Sequence, residues 1–389
     1  MQKVISTEKI PIKMWLEDIE DGALEQAKNL ANLPFAFKHL AVMPDTHTGF
    51  GCPIGTIFAA KNAIVPAIVG VDIGCGMSVY RTDLQDLDRT QLVKILDIIK
   101  KTIPVGFSHH KEKQDDAWMP HNEEFPLPDL FSTCRNEYDS ALFQIGTLGG
   151  GNHFIEIQKG SDGFVWVMIH SGSRNLGYKV ANHYHKMAVK MNEMWFSNIP
   201  SELAFFPHNS TEFWEYMEEM NYCIEFARKN RSLMMQRVES AFKEVIPDVE
   251  FSNFINKPHN FAAFEHHFNT NVLVHRKGAT RAYEGELGMI PGSQGTNSYI
   301  VKGLGNDQSF KSCSHGAGRV MSRAEARRTL SVKDEVAKLK DKGVLHSIKT
   351  EKDLDEAPSS YKDIAQVMDF QKDLVKIEVE LYPMAVIKG

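Results

Sequence analysis

The chain opens on MQKVISTEKIPIKMWL, where apolar and polar residues alternate well enough to predict an early strand. From about residue 17 to residue 32 the apolar spacing turns helical. Between Leu40 and Tyr80, short apolar runs (IGTIFAA, AIVGVDIG, SVY) are separated by glycines, which predicts buried strands joined by tight turns. A helix is predicted over residues 89–101. Residues 106–135 keep no clean period and are rich in charge, proline and histidine, which predicts a long loop. A Gly-rich strand segment (IGTLGGGNHFIEI) and an apolar run ending in histidine (FVWVMIH) follow, then helical spacing over 178–194 and 212–243. A second glycine-rich group, RKGATRAYEGELGMIPGSQGTNSYIVKG, precedes SCSHGAGRVMSRAEARRTL, where glycine gives way to an Arg-bearing helical run. No internal repeat or linker breaks the pattern, so it predicts one α+β domain over 1–389.

Composition changes this picture little. A chain of 389 residues, 42% of them hydrophobic, can bury a large core. No apolar run approaches the roughly 20 residues that span a bilayer. The opening residues also lack the basic-then-apolar pattern of a signal peptide, so the cytoplasm is the expected compartment. The five cysteines are scattered without a CxxC pair, which argues against a disulfide framework. A net charge of −6 does not suggest a nucleic-acid binder, so any nucleic-acid contact must come from a local basic surface. The acidic stretches 112–124 and 353–356 leave room for such a face elsewhere.

Candidate chemistry enters with AIVGVDIGCGM. Asp72 and Cys75 lie three apart across a turn with Gly74 and Gly76, after an apolar run. Alone, this is as well read as a tight turn with a buried cysteine. In GGGNHFIEI, a strand over 152–157 would put Asn152, Phe154 and Glu156 on one face, with His153 and Ile155 on the other. His170 ends an apolar strand and opens into a turn with Ser171, Ser173 and Arg174, while His259 follows a proline in INKPHNFAAF. A single histidine of this kind is commonly structural. Five such groups make a ligand set, in which carboxylate and imidazole suit Mn, Fe or Zn and the thiolate pulls toward Zn.

Two further loops suggest phosphate contact. IPGSQGTNSY offers backbone N–H groups, Ser293 and Ser298, and SHGAGRVMSR ends at a predicted helix start, where free N–H groups favour an anion. Arg319, Arg323 and Arg327 would share one helix face, although Glu325 and Arg328 also fit a solvated surface. His315 heads the loop and is the best-placed nucleophile or acid/base, and neither loop is a Walker A sequence.

Read in order, AVMPDTHTGFGCPIG, VGVDIGCGM, GTLGGGNHFIEI, HSGSRNLG, PHNFA, RKGA, IPGSQGTNSYI, SHGAGRVMSR and VIKG resemble the RtcB family of RNA-splicing and repair ligases, from about Met43 to Gly389. The resemblance implies an α+β domain with central sheets around a metal- and nucleotide-binding cleft. It implies a ligase that uses GTP and two Mn²⁺ ions, rather than zinc, to join an RNA 3′-phosphate or 2′,3′-cyclic phosphate to a 5′-hydroxyl. By motif position, Asp72, Cys75, His153, His170 and His259 would hold metal, with Cys75 bridging two ions. The guanylate site would comprise Asn152, His153, Phe154, Ile155, Glu156, His259, Asn260, Pro291, Gly292, Ser293, Gln294, Ser298, His315, Gly316, Ala317, Gly318 and Lys388, with His315 carrying the covalent guanylate. Glu156 would accept from the N1–H and N2–H₂ of guanine. Arg174 and Arg319 are the expected RNA phosphate contacts.

Gln294 departs from the family's usual methionine in PGSMG, and neither residues 106–135 nor 195–213 match a motif. A metal phosphoesterase acting only on RNA cyclic or terminal phosphates is the competing reading. It needs the ligands but neither His315 nor Lys388. A monomer is the default expectation, with an accessory activating protein as a further candidate partner.

Overall fold

A computed structural model of the chain describes residues 1–120 and 132–389. The α+β expectation holds. A six-stranded sheet runs in the order Lys3–Ile5, Ile12–Met14, Ala36–His47, Ile54–Ala60, Thr270–Lys277, Asn260–His267. A seven-stranded sheet runs Phe251–Pro258, Gly76–Thr82, Val165–Ser171, Phe154–Gly160, Val375–Lys388, Ser298–Gly303, Leu287–Ile290. Neighbouring strands in both are antiparallel, except for the parallel pair Ile12–Met14 and Ala36–His47.

Alternation along the strands gives the seven-stranded sheet two apolar faces. Ile155, Ile157, Val167 and Ile169 pack under the helices Arg89–Thr102 and Thr211–Val245. Phe154, Met168, Ile300 and Val386 form a cluster on the opposite face. A further cluster joins Met43, Ile57 and Val274 of the six-stranded sheet to Ile290 and Val301 of the seven-stranded one. The helix starts are fixed by side chains: Asp88 and Gln91 form a reciprocal cap, and Ser210 accepts from the Phe213 N–H.

Some local expectations change. The opening forms two short strands rather than one. The start of the AIVGVDIG run joins the preceding proline in a one-turn helix, Pro66–Val69, because proline presets the helical φ and needs no N–H partner at the first position. Asp72 and Cys75 therefore precede a strand instead of following one. In the predicted 106–135 loop, Asp116–Trp118 makes a 3₁₀ turn and residues from Ser132 onward are helical. Residues 121–131 of that stretch lie outside the described residues.

Candidate metal and nucleotide centre

Strand register assembles the site. Five adjacent strands of the seven-stranded sheet reach one level: Pro258 pairs with Gly76, Gly76 with Ser171, His170 with Phe154, and Phe154 with Lys388. Cys75, His153 and His259 each sit one residue beyond that row, and His170 lies in it. Neighbouring strands are separated by about 4.8 Å, so residues far apart in sequence meet along one sheet end.

They meet closely. Cys75 Sγ lies 3.4 Å from His153 Nε2 and 3.2 Å from His170 Nε2, and all three side chains are buried. Asp72 Oδ2 is 3.1 Å from His153 Nε2, and His170 Nε2 is 3.3 Å from His259 Nε2. The other ring nitrogens explain what this means. His153 Nδ1 donates to the Leu148 carbonyl at 3.0 Å and His170 Nδ1 to the Asn152 carbonyl at 3.1 Å. Each Nε2 therefore presents a lone pair, toward a carboxylate in one case and a second imidazole in the other. Burial, then the charge of neighbouring histidines, holds His170 and His259 well below the usual imidazole range. Burial and the Asp72 carboxylate push the Cys75 thiol up. Three imidazoles with converging Nε2 atoms, a thiol and a carboxylate form a donor set that fits a divalent transition-metal cation.

Buried polar groups on the helix Thr211–Val245 hold the ligand-bearing loops. Asn230 accepts from the N–H groups of Gly146 and Thr147 and donates to Ser171 Oγ and the carbonyls of Thr147 and Gly172. Arg231, fully buried, donates to the carbonyls of Gly74 and Ser171, each at 2.9 Å, and to Asn256 Oδ1 at 2.8 Å. Glycine permits the close approach at position 172, where a Cβ would lie 2.1 Å from Asp72 Oδ1.

Beside the ligands lies a cleft of about 350 Å³. It is lined by twelve of the expected guanylate residues: Asn152, Phe154, Glu156, Pro291, Gly292, Ser293, Gln294, His315, Gly316, Ala317, Gly318 and Lys388. The other five lie elsewhere. His153 faces a neighbouring, larger cavity, and Ile155 turns into the core. Asn260 braces backbone, accepting from the Gly278 N–H and donating to the Asp72 carbonyl. Ser298 accepts from the Gly292 N–H and from Gln158, which also donates to Glu156. His259 reaches His315, with ring centroids 4.8 Å apart. Gln294 donates to the Glu356 carbonyl at 2.9 Å and so ties two loops together.

His315 is oriented from behind. Asp45 Oδ2 accepts from its Nδ1 at 2.7 Å and from its backbone N–H at 3.1 Å. Asp45 is fully buried at the end of Ala36–His47, and a Cβ at Gly55 would lie 2.9 Å from its other oxygen. With Nδ1 donating, Nε2 of His315 holds the reactive lone pair. Burial raises Glu156 to about 8, although Lys388 and Gln158 pull it back.

Glu356 is the hub that sequence reading missed. It pairs with Lys388, Arg319 and Arg323 at 3.2–3.3 Å and also accepts from Tyr361. Against burial, those cations and that hydroxyl hold its carboxyl down at about 2. The acidic stretch 353–356 thus lies among the arginines rather than away from them. Arg319 is not on the helix, which begins at Arg323, so the three arginines share no helical face. They converge instead through carboxylates, Arg327 reaching Asp355 at 2.6 Å. That helix has only seven residues, and Ser322 caps it by accepting from the Glu325 N–H. Arg319 lines the smaller cleft. Arg174 lines the larger cavity, of about 970 Å³, with His153 and Asp72. Its backbone is left-handed at φ 56°, and its guanidinium donates to Thr147 Oγ1 at 3.3 Å. Asp45 was within reach of the sequence, in MPDTHTG; Glu356, embedded in a charged stretch, gave no signal.

The sequence profile described as "tRNA-splicing ligase RtcB" matches residues 26–389. "RNA-splicing ligase RtcB" of Escherichia coli (strain K12) is 39% identical over 100% of this chain and 99% of its own length. "tRNA-splicing ligase RtcB" of Nanoarchaeum equitans is 30% identical over 98% of this chain and 95% of its own. The protein of that name from Thermococcus kodakarensis is 32% identical over 95% and 92%. With its ligand row, cleft and His315–Asp45 pair carried on sequence alike from end to end, this chain belongs to the RtcB family.

Proposed function

We propose that the chain is an RNA ligase acting in tRNA splicing or RNA repair. It joins a 3′-phosphate or 2′,3′-cyclic phosphate end to a 5′-hydroxyl, using GTP and two Mn²⁺ ions. The observation that carries this reading is the position of His315, whose Nδ1 is tied to Asp45 and whose ring meets His259 where the ligand row adjoins the cleft. A hydrolase working through the ligand row alone has no use for a second, separately oriented histidine.

Asp72, Cys75, His153, His170 and His259 would hold the metal, which supplies charge neutralisation on phosphate oxygens when bound. His315 Nε2 attacks the α-phosphorus of GTP: a P–N bond forms, the bond to the bridging oxygen breaks, and pyrophosphate leaves. Asp45 keeps the Nδ1 proton in place and stabilises positive charge on the ring as the bond forms. Glu156, ionised, accepts from the guanine N1–H and N2–H₂, with Lys388 beside it. A cyclic end must first be opened by water to a 3′-phosphate. An oxygen of that 3′-phosphate then takes GMP from His315, so the P–N bond breaks and the histidine is restored. Attack by the RNA 5′-hydroxyl oxygen on the activated 3′-phosphorus forms the phosphodiester, releases GMP, and gives up the hydroxyl proton. Arg174 and Arg319 are the proposed RNA phosphate contacts, and an accessory activating protein remains a proposed partner.

Incubation with α-labelled GTP and Mn²⁺ tests this. Acid-labile label on the protein, absent in His315→Ala, is the expected result. Cyclic-phosphate cleavage without any protein-bound label would instead favour the phosphoesterase.

A further inference from the structure

We propose that Phe107 and Tyr178 are stacking platforms for RNA bases, holding the nucleosides next to the ends that are joined. Both rings open onto the larger cavity, whose wall also carries Asp72, His153 and Arg174. Phe107 is exposed to the full extent of a free residue, 102%, and Tyr178 to 52%. An apolar ring left in water forgoes the roughly 2 kcal/mol that burial of a phenylalanine contributes, so it adds little to the fold.

Yet the backbone beneath Phe107 is fixed. Val105 bridges to Gly149, the Gly106 N–H donates to the Gly149 carbonyl at 2.9 Å, and Ser108 N–H closes a turn onto Val105 at 3.2 Å. Those bonds anchor Phe107 to the glycine loop that leads into Asn152 and His153. Tyr178 is likewise placed, one helical turn after Arg174 on Arg174–Met194, so the two side chains share a face. Held by their backbones, and uncovered among the described residues, the two rings thus flank the approach to the ligand row.

The lining narrows the occupant. Five cations, Arg174, Arg323, Arg327, Lys352 and Lys388, line the same cavity against four carboxylates, Asp72, Asp353, Asp355 and Glu356, with Arg323 and Lys388 paired to Glu356 and Arg327 to Asp355. Cations for phosphates interleaved with flat aromatic faces are the recognition chemistry of a single RNA strand, and stacking tolerates any base. Bases splayed onto Phe107 and Tyr178 would leave the terminal phosphate and hydroxyl free to reach the ligands. This placement rests on the ligand row being the reaction centre, as proposed above.

The test compares Phe107→Ala, Phe107→Leu, Phe107→Trp and Tyr178→Ala in the full chain, with a single-stranded RNA bearing a 3′-phosphate. RNA affinity and the KM for ligation are expected to weaken about tenfold per lost ring, with Trp restoring and Leu failing to restore binding at position 107. Labelling of histidine by GTP, which needs no RNA, is expected to stay at the parent level. RNA with 5-iodouridine beside either end is expected to cross-link to Phe107 or Tyr178. An alanine variant that binds RNA like the parent, a leucine that serves as well as phenylalanine, or a parallel loss of histidine labelling would each overturn the proposal. A parent protein that takes no label from GTP, while Phe107→Ala still weakens RNA binding, would break the guanylylation reading and leave this one standing.

Discussion

His315 and Asp45 are joined twice through one oxygen, Asp45 Oδ2, which accepts both the ring Nδ1–H and the backbone N–H of His315. Tautomer and position are therefore set by the same buried carboxylate. In Asp45→Asn the amide can meet His315 with either end, and its NH₂ group has no partner in a pocket already closed by Gly55. Histidine labelling by α-labelled GTP is expected to slow by about 100-fold or more, within the range seen when a catalytic histidine loses its orienting acid. Metal content measured by plasma emission should not change. Parent-like labelling would remove Asp45 from the mechanism.

Ligand row and nucleophile should separate cleanly. Cys75→Ala removes the side chain that touches both His153 and His170, so Mn²⁺ binding followed by electron paramagnetic resonance should be lost together with every chemical step. His315→Ala should bind Mn²⁺ like the parent and take no label. Chelation of the parent should abolish joining, and Mn²⁺ should restore it. Retention of tight metal binding in Cys75→Ala would show that these residues are not the ligand set.

Glu156 links the cleft to pH. Its carboxyl is raised from 4.5 to about 8, chiefly by burial. Between those values the native chain holds a proton that the unfolded chain has released. This contribution to stability is whole below the unfolded pKa and is lost as pH rises through the folded one. Glu156→Gln has no such proton, so its melting temperature relative to the parent should rise steadily from pH 5 to pH 8. Guanine needs the ionised acceptor, so GTP affinity of the parent should strengthen over the same range, while that of the variant stays weak and flat. A variant-to-parent melting difference that is constant with pH would contradict the assignment.

Arg231→Met keeps length and apolar bulk but leaves the carbonyls of Gly74 and Ser171, and Asn256 Oδ1, without their donor. Loss of stability of about 3 kcal/mol in urea unfolding is expected from these stranded acceptors. Metal affinity should fall with it, because the turns that lose these bonds carry Cys75 and follow His170. A variant of parent stability that also binds Mn²⁺ normally would show that Arg231 does not support the loops.

Much of this was legible in the residues, and the limits have physical causes. Strands bounded by glycine, and helices with regular apolar spacing such as 89–101 and 212–243, announce themselves locally. Convergence does not: Cys75 and His259 meet only because Pro258 pairs with Gly76. The five candidate ligands could be named from turns and motif order, whereas the common level of Cys75, His153, His170 and His259 on the sheet is a matter of register. Pro66 shows a local rule overriding apolar texture. Glu356, Asn230 and Arg231 show the opposite case, charged or polar residues in helical or acidic stretches whose role exists only in three dimensions.

The strand Val375–Lys388 sits inside the seven-stranded sheet, paired on one side with Phe154–Gly160 and on the other with Ser298–Gly303. Its partner at 154–160 is more than two hundred residues away along the chain, so joining them closes a very large loop, a slow step in folding. Until that happens two inner strands are bare edges, open to pairing with another chain, and the cleft lacks Lys388. Competence to bind nucleotide should therefore appear in refolding only with the slow closing of the sheet, later than the helices, which makes guanylate capture a clock for the last stage of folding.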